Sequence, residues 1–157
     1  MLRATTATGL ESQVVGVGVP PLIPAGTYEA VGAKWQLTRM LGGAPRIVVE
    51  WDVLVPDSDA EFGTRQVRLP RFYRVQAAAG GRVPAPRSGD YARAWMRVTG
   101  RRIERLDRLS PGVFVGVLCV VEVVTVTHDY RQQLLPDCAR YSRIGRILER
   151  KAGSAPA

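Results

Sequence analysis

A mainly β domain of five strands, with a single helix between the third and the fourth, is what three features of this 157-residue chain predict. Apolar and polar residues alternate with period two over Thr27–Thr38 and Arg46–Val55. The run Val113–Thr127 is rich in β-branched residues and broken by one acid, Glu122. Helical spacing is clearest at Ser88–Gly100, where Tyr91, Ala94, Trp95 and Val98 fall at i, i+3, i+4 and i+7. The length suits one domain with a real core. That domain is expected over residues 23–150, between a flexible N-terminal arm, 1–22, and a flexible C-terminal tail, 151–157.

The arm mixes Thr, Gly, Ser and Val without periodicity and closes on Pro20 and Pro21. The first strand, Thr27–Thr38, follows a Pro-Ala-Gly turn and sets Tyr28, Ala30, Gly32 and Lys34 against Glu29, Val31, Ala33 and Trp35. Paired glycines make Leu41–Pro45 a turn, so the second strand, Arg46–Val55, returns along the first as a hairpin with Ile47, Val49, Trp51, Val53 and Val55 on one face. Pro56–Gly63 is an acidic loop. Thr64–Val75 reads as a third strand, and Pro70 within it calls for an edge position or a bulge, because proline donates no ladder hydrogen bond. Ala77–Arg87, built from Ala, Gly, Pro and Arg, favours a flexible loop. Ser88 then stands where a helix N-cap belongs, Asp90 complements the dipole in the first turn, and Gly100 occupies the C-terminal cap. A basic connector, Arg101–Arg108, leads to Val113–Thr127, whose apolar character predicts the central strand of the sheet. His128–Cys138 is a loop, and Tyr141–Leu148 starts as a strand but also fits a closing helical turn.

Three strands, a helix and two strands is the order of the OB fold, a five-stranded Greek-key barrel with its helix between strands three and four. Closure of a barrel hides strand edges, and Tyr91 and Trp95 would plug its end. An open α+β sheet with the helix on one face is the alternative.

The formal charge is +8, and every basic residue except Lys34 and Lys151 is an arginine. Between Thr64 and Arg108, twelve arginines stand against Asp90, Glu104 and Asp107 and interleave with Phe72, Tyr73, Tyr91 and Trp95. A guanidinium forks onto phosphate oxygens and a ring stacks on an unpaired base, so this composition suits single-stranded nucleic acid. It also fits a solvated basic face. Along the third strand Arg65, Arg71 and Tyr73 share one face and Arg68, Phe72 and Arg74 the other. Tyr73 with Arg71 is the expected wet pair, since phenylalanine is more often buried. Lys34, Trp35 and Arg39 gather at the end of the first strand, where Trp35 either stacks a base or enters the core, whereas Trp51 and Trp95 read as core. Arg82 and Arg87 bracket the loop after the third strand, and Arg101 and Arg102 open the basic connector. Tyr130 and Arg131 lie in the loop between strands four and five, a ligand-contacting loop of the OB fold.

No nucleophile, base and orienting group come together in the sequence. His128, the one histidine, sits beside Asp129 without a Ser or Cys placed nearby by a local motif. Cys119 and Cys138 lack paired-ligand spacing and are expected as free thiols, so no metal or cofactor is called. Asp57, Asp59 and Glu61 read as a soluble hairpin tip, and Gly16 and Gly18 lack both the lysine and the following helix of a phosphate loop. Met1–Glu11 has no apolar stretch of signal-peptide length and the longest apolar run is too short to span a bilayer, so a cytoplasmic protein is expected, and the missing catalytic constellation makes it a non-catalytic binding protein.

The chain resembles a family of small OB-fold proteins of phages, plasmids and integrated mobile elements that look like single-stranded DNA-binding proteins. The matching pieces are Ile23-Pro24-Ala25-Gly26-Thr27-Tyr28-Glu29-Ala30, Arg71-Phe72-Tyr73, Ser88 through Trp95 to Gly100, Leu109-Ser110-Pro111 with Phe114 and Gly116, and Tyr141-Ser142-Arg143-Ile144. They cover about residues 23–150. The resemblance implies a partner in single-stranded DNA, bound largely without regard to sequence, and a role in replication, recombination or transfer of a mobile element. One small barrel has a small footprint, so a homo-oligomer is expected. An oligomeric assembly module of a phage-like particle and an RNA-binding regulator are the alternative functions. Familiar single-stranded DNA-binding proteins often end in an acidic, partner-recruiting tail, whereas residues 149–157 here hold one acid, Glu149, against Arg150 and Lys151, so recruitment of that kind is not implied.

Overall fold

The computed structural model describes residues 21–39, 45–76, 89–105 and 109–151. Five antiparallel strands form one sheet: β1 (Gly26–Arg39), β2 (Pro45–Pro56), β3 (Thr64–Arg74), β4 (Leu118–Val126) and β5 (Tyr141–Arg150). Their order is β3-β2-β1-β4-β5, and one helix, α1 (Asp90–Thr99), falls between β3 and β4. The end strands β3 and β5 approach each other without ladder pairs. This is the strand order of an OB-type barrel left open along a β3–β5 seam, and α1 contacts both strands that flank it. The expected closure of the barrel is thus incomplete.

The central strand is β1, paired with β2 on one side and β4 on the other. Val113–Thr127 had the composition for that place, but Ser110 accepts from the Gly112 N–H at 3.3 Å and Pro111 starts a short 3-10 turn, Pro111–Phe114, so the strand begins only at Leu118. β5 stays extended to Arg150, without the helical turn that its last residues also fitted. Pro70 takes the edge option, since β3 pairs with β2 in unbroken register from Thr64 to Arg74. The arm up to residue 20, the turn 40–44, the loop 77–88 with the expected cap Ser88, and the tail from 152 lie outside the described residues. Gly89 holds the N-cap position of α1 with no side-chain hydrogen bond, while Gly100 adopts φ 68° and returns its N–H to the Met96 carbonyl at 2.8 Å.

Gly32 turns β1. A Cβ there would lie 1.8 Å from the Phe114 carbonyl oxygen, and the Gly32 N–H and C=O are bonded to Val117 and Gly116. The β1–β2 register shifts at this point, between Gly32 and Lys34. The alternation expected through Thr27–Thr38 therefore breaks: Ala30 and Gly32 face inward opposite Val53 and Trp51, yet Lys34 faces outward opposite Glu50, and Trp35 joins the inward side opposite Val49.

The core gathers the inward residues of β2, the apolar face of α1 and Phe114. Trp51 meets Phe114 edge-on at 6.3 Å, Tyr73 stacks on Phe114 at 6.0 Å, and Tyr91 meets Tyr73 at 5.5 Å. The Tyr91 hydroxyl donates to the Leu109 carbonyl, which ties α1 to the segment entering β4. At the other end Ser142, fully buried on β5, accepts from the Ile23 N–H at 2.8 Å and donates to the Ile23 carbonyl at 3.1 Å. Ile23 is thereby drawn into the core ahead of β1. No helix among the described residues is long and apolar enough to cross a membrane.

Candidate nucleic-acid interface

The outer face of β1–β2–β3 is built in rows across the ladder: Lys34–Glu50–Pro70, Gln36–Val48–Phe72 and Thr38–Arg46–Arg74. Phe72 is 36% exposed, and Val48, although on this outer face, is buried between its neighbours Gln36 and Phe72. Beside the ring, Arg74 is exposed and Arg46 is directly opposite it. No ion pair joins Arg46 or Arg74 to an acid among the described residues. An exposed ring bordered by two uncompensated guanidinium groups can stack a base while holding the adjacent phosphates.

One step further along the strands the charges cancel. Arg68 forks onto Asp52 at 2.9 and 3.2 Å and lies 3.9 Å from Glu50, which also holds Lys34 at 3.4 Å. The hydrogen bond to Asp52 raises the pKa of the Arg68 guanidinium above its ordinary value. The register brings Lys34 and Arg68 into one neighbourhood, but two carboxylates neutralise them. Arg65 is apart, at the far end of β3 beside Asp57 at 3.7 Å.

Tyr73 and Arg71 are not the wet pair of β3. Tyr73 is 2% exposed, and the Arg71 side chain is 12% exposed with its guanidinium carbon 5.0 Å from the Tyr73 ring centroid. Parity decides this, since Val67, Leu69, Tyr73 and Val75 share the inward face and burying the three aliphatic residues buries the tyrosine with them. Burial pushes the Tyr73 phenol well above its ordinary pKa, against the opposing pull of the Arg71 charge.

Of the remaining candidates, Trp35 is 40% exposed on the inward side of the β1–β2 hairpin with Leu37 next along that side, half exposed. Trp51 and Trp95 are core residues. Arg101 and Arg102 are exposed beyond the C-terminus of α1, in a cleft with Trp95 and Leu109. Arg82, Arg87 and the side chain of Arg39 lie outside the described residues.

Tyr130 is 84% exposed in the β4–β5 loop, with the Arg131 guanidinium 5.2 Å from its ring centroid. This loop is shaped by Asp129, whose Oδ1 accepts from the Arg131 and Gln133 N–H groups at 2.8 and 2.9 Å. Asp129 therefore serves the backbone, and His128 instead has its Nδ1 2.9 Å from the Thr127 hydroxyl. Among the described residues no cluster of three or more His, Cys, Asp or Glu side chains is placed to hold a metal ion. Cys119 is buried and Cys138 exposed, both as free thiols.

Sequence reasoning missed Arg46, although its alternation against Ile47 put it on the outer side of β2. It also missed the carboxylates that cancel Lys34 and Arg68, because cross-strand partners follow from register and not from local composition. Scans of protein-family models and searches of characterised proteins and of solved structures find no match to this chain.

Proposed function

We propose that the protein is a non-catalytic binder of single-stranded DNA, acting on the outer face of β2–β3 and through the β4–β5 loop. The observation that carries the reading is Phe72, an exposed aromatic ring on a sheet face, flanked by Arg46 and Arg74. OB-type barrels bind oligonucleotides on this strand 2–3 face and through the loop between strands four and five, where Tyr130 and Arg131 stand. Stacking on Phe72 and Tyr130 takes any base, and the arginines hold phosphate, so the binding is largely independent of sequence. Strand protection during replication, recombination or transfer of a mobile element is the role that the sequence resemblance adds. Half-exposed Trp35 and Leu37 at the end of β1 supply an apolar contact for a second copy.

The test is fluorescence anisotropy of a labelled deoxythymidine oligomer, with an equal-length duplex and an RNA oligomer alongside, over a range of salt. Preference for single-stranded DNA, a loss of about 1–3 kcal/mol on Phe72→Ala and a salt slope about 0.7 smaller on Arg74→Ala are expected. Equal binding of all three polymers, unchanged by Phe72→Ala, would sink the reading and leave the arginines as a solvated surface.

A further inference from the structure

The arginines that the outer face does not use converge elsewhere. A cleft of about 330 Å³ opens at the β3–β5 seam under α1 and is lined by Arg71, Tyr73, Asp90, Arg93, Arg97 and Arg146. Three elements supply its guanidinium groups: Arg71 from β3, Arg93 and Arg97 from one face of α1, and Arg146 from β5. Asp90 bridges two of them, at 3.2 Å from Arg71 and 2.6 Å from Arg93, and the Arg93 hydrogen bond leads in holding its pKa below the ordinary carboxylate value. Glu122 holds Arg146 at 3.1 Å, and Arg97 donates to the Ile147 carbonyl at 2.6 Å. Four cations against these two carboxylates leave two positive charges uncompensated in a concave site. Two buried polar atoms are also left over at its inner wall: Arg71 Nε and the Tyr73 hydroxyl have no hydrogen-bond partner. Tyr73 is almost wholly enclosed, with the Arg71 guanidinium against its ring.

We infer that this cleft is a binding site for a phosphomonoester dianion, separate from the β2–β3 face. The charge excess matches a dianion, and the guanidinium fork matches phosphate oxygens better than any other basic group. Exposed Arg93 and Arg146 face the ligand at the mouth, with Arg71 behind them. A phosphate held between α1 and β5 also clasps the seam that the ladder leaves open. The inference does not depend on strand binding by Phe72.

Isothermal titration with inorganic phosphate at pH 7.5 and constant ionic strength, with chloride as the reference anion, tests it. One phosphate per chain is expected, with affinity falling at least tenfold in Arg93→Ala and in Arg146→Ala and unchanged in Phe72→Ala. Arg143→Ala removes an exposed arginine that does not line the cleft and is expected to cost less than twofold. Circular dichroism of each variant checks that the fold is kept. Oligonucleotides ending in a 5′-phosphate, a 3′-phosphate or hydroxyls then separate the sources. A preference for one phosphorylated end, competed by inorganic phosphate, assigns the site to a strand terminus. Equal binding of all three oligomers with phosphate binding retained assigns it to a free phosphoester. No phosphate binding above chloride, or equal losses in Arg93→Ala, Arg146→Ala and Arg143→Ala, overturns the inference.

Discussion

Phe72 and Tyr73 are adjacent in the chain and opposite in consequence. Tyr73→Ala empties a site between Phe114 and Tyr91 in the core and is expected to cost about 3–5 kcal/mol of stability, read by chemical denaturation. Phe72→Ala leaves the core intact, and its stability loss should stay below about 1 kcal/mol. For binding of unphosphorylated strands the pair is thus a control for itself, since a defect in Tyr73→Ala reports unfolding and one in Phe72→Ala reports contact. Gly32 belongs to this scale as well. An alanine there drives its Cβ into the Phe114 carbonyl, so Gly32→Ala is expected to destabilise by about 3 kcal/mol or more, at the top of the range for overpacking. A denaturation midpoint equal to that of the parent protein would show that β1 and the 3-10 turn can part without cost.

Among the elements, the ends are held by side chains that propensity does not reveal. Ser142→Ala removes both hydrogen bonds to Ile23 and leaves that N–H and C=O buried without partners, so a loss of about 1–3 kcal/mol is expected, with early deuterium exchange at the Ile23 amide. Exchange at Ile23 as slow as in the parent would mean another group holds the segment. Strand existence, the helix and the hairpin were legible from periodicity, because Ile47 through Val55 alternate without interruption and Tyr91, Ala94, Trp95 and Val98 form one stripe. What was not legible needed a partner from far along the chain. The β1 parity reverses because Phe114 presses its carbonyl on Gly32, and the delayed start of β4 follows from the Ser110 cap. On β3 the strand pattern did contain the answer: Val67, Leu69 and Val75 set the inward face, and residue type misled at Tyr73. The exposed Phe72 was among the candidates, whereas the cleft of Arg71, Arg93, Arg97 and Arg146 is assembled by three elements and has no local sequence signature beyond the 93/97 spacing on one helix.

At the scale of the whole molecule, the buried acids that stay protonated set the alkaline limit. Burial lifts the Cys119 thiol from 9.0 to about 11 and raises the Tyr73 and Tyr91 phenols above 10.0. Each folded pKa is raised, so above pH 9 to 10 the unfolded chain sheds protons that the native state keeps. The stabilisation is therefore complete below pH 9 and declines as pH rises toward and through the folded values. Urea denaturation from pH 8 to 11 should show stability falling by up to about 1.4 kcal/mol per pH unit for each group that titrates only on unfolding. A flat profile over that range would contradict the burial of these groups. The open seam carries a different consequence. An unpaired strand edge is adhesive, a template on which another chain can add itself and begin an aggregate. Here Pro70 withholds a donor from β3 and α1 contacts both strands at the gap, so the same helix that gives the cleft two of its four arginines also denies the unfinished barrel to a stray strand.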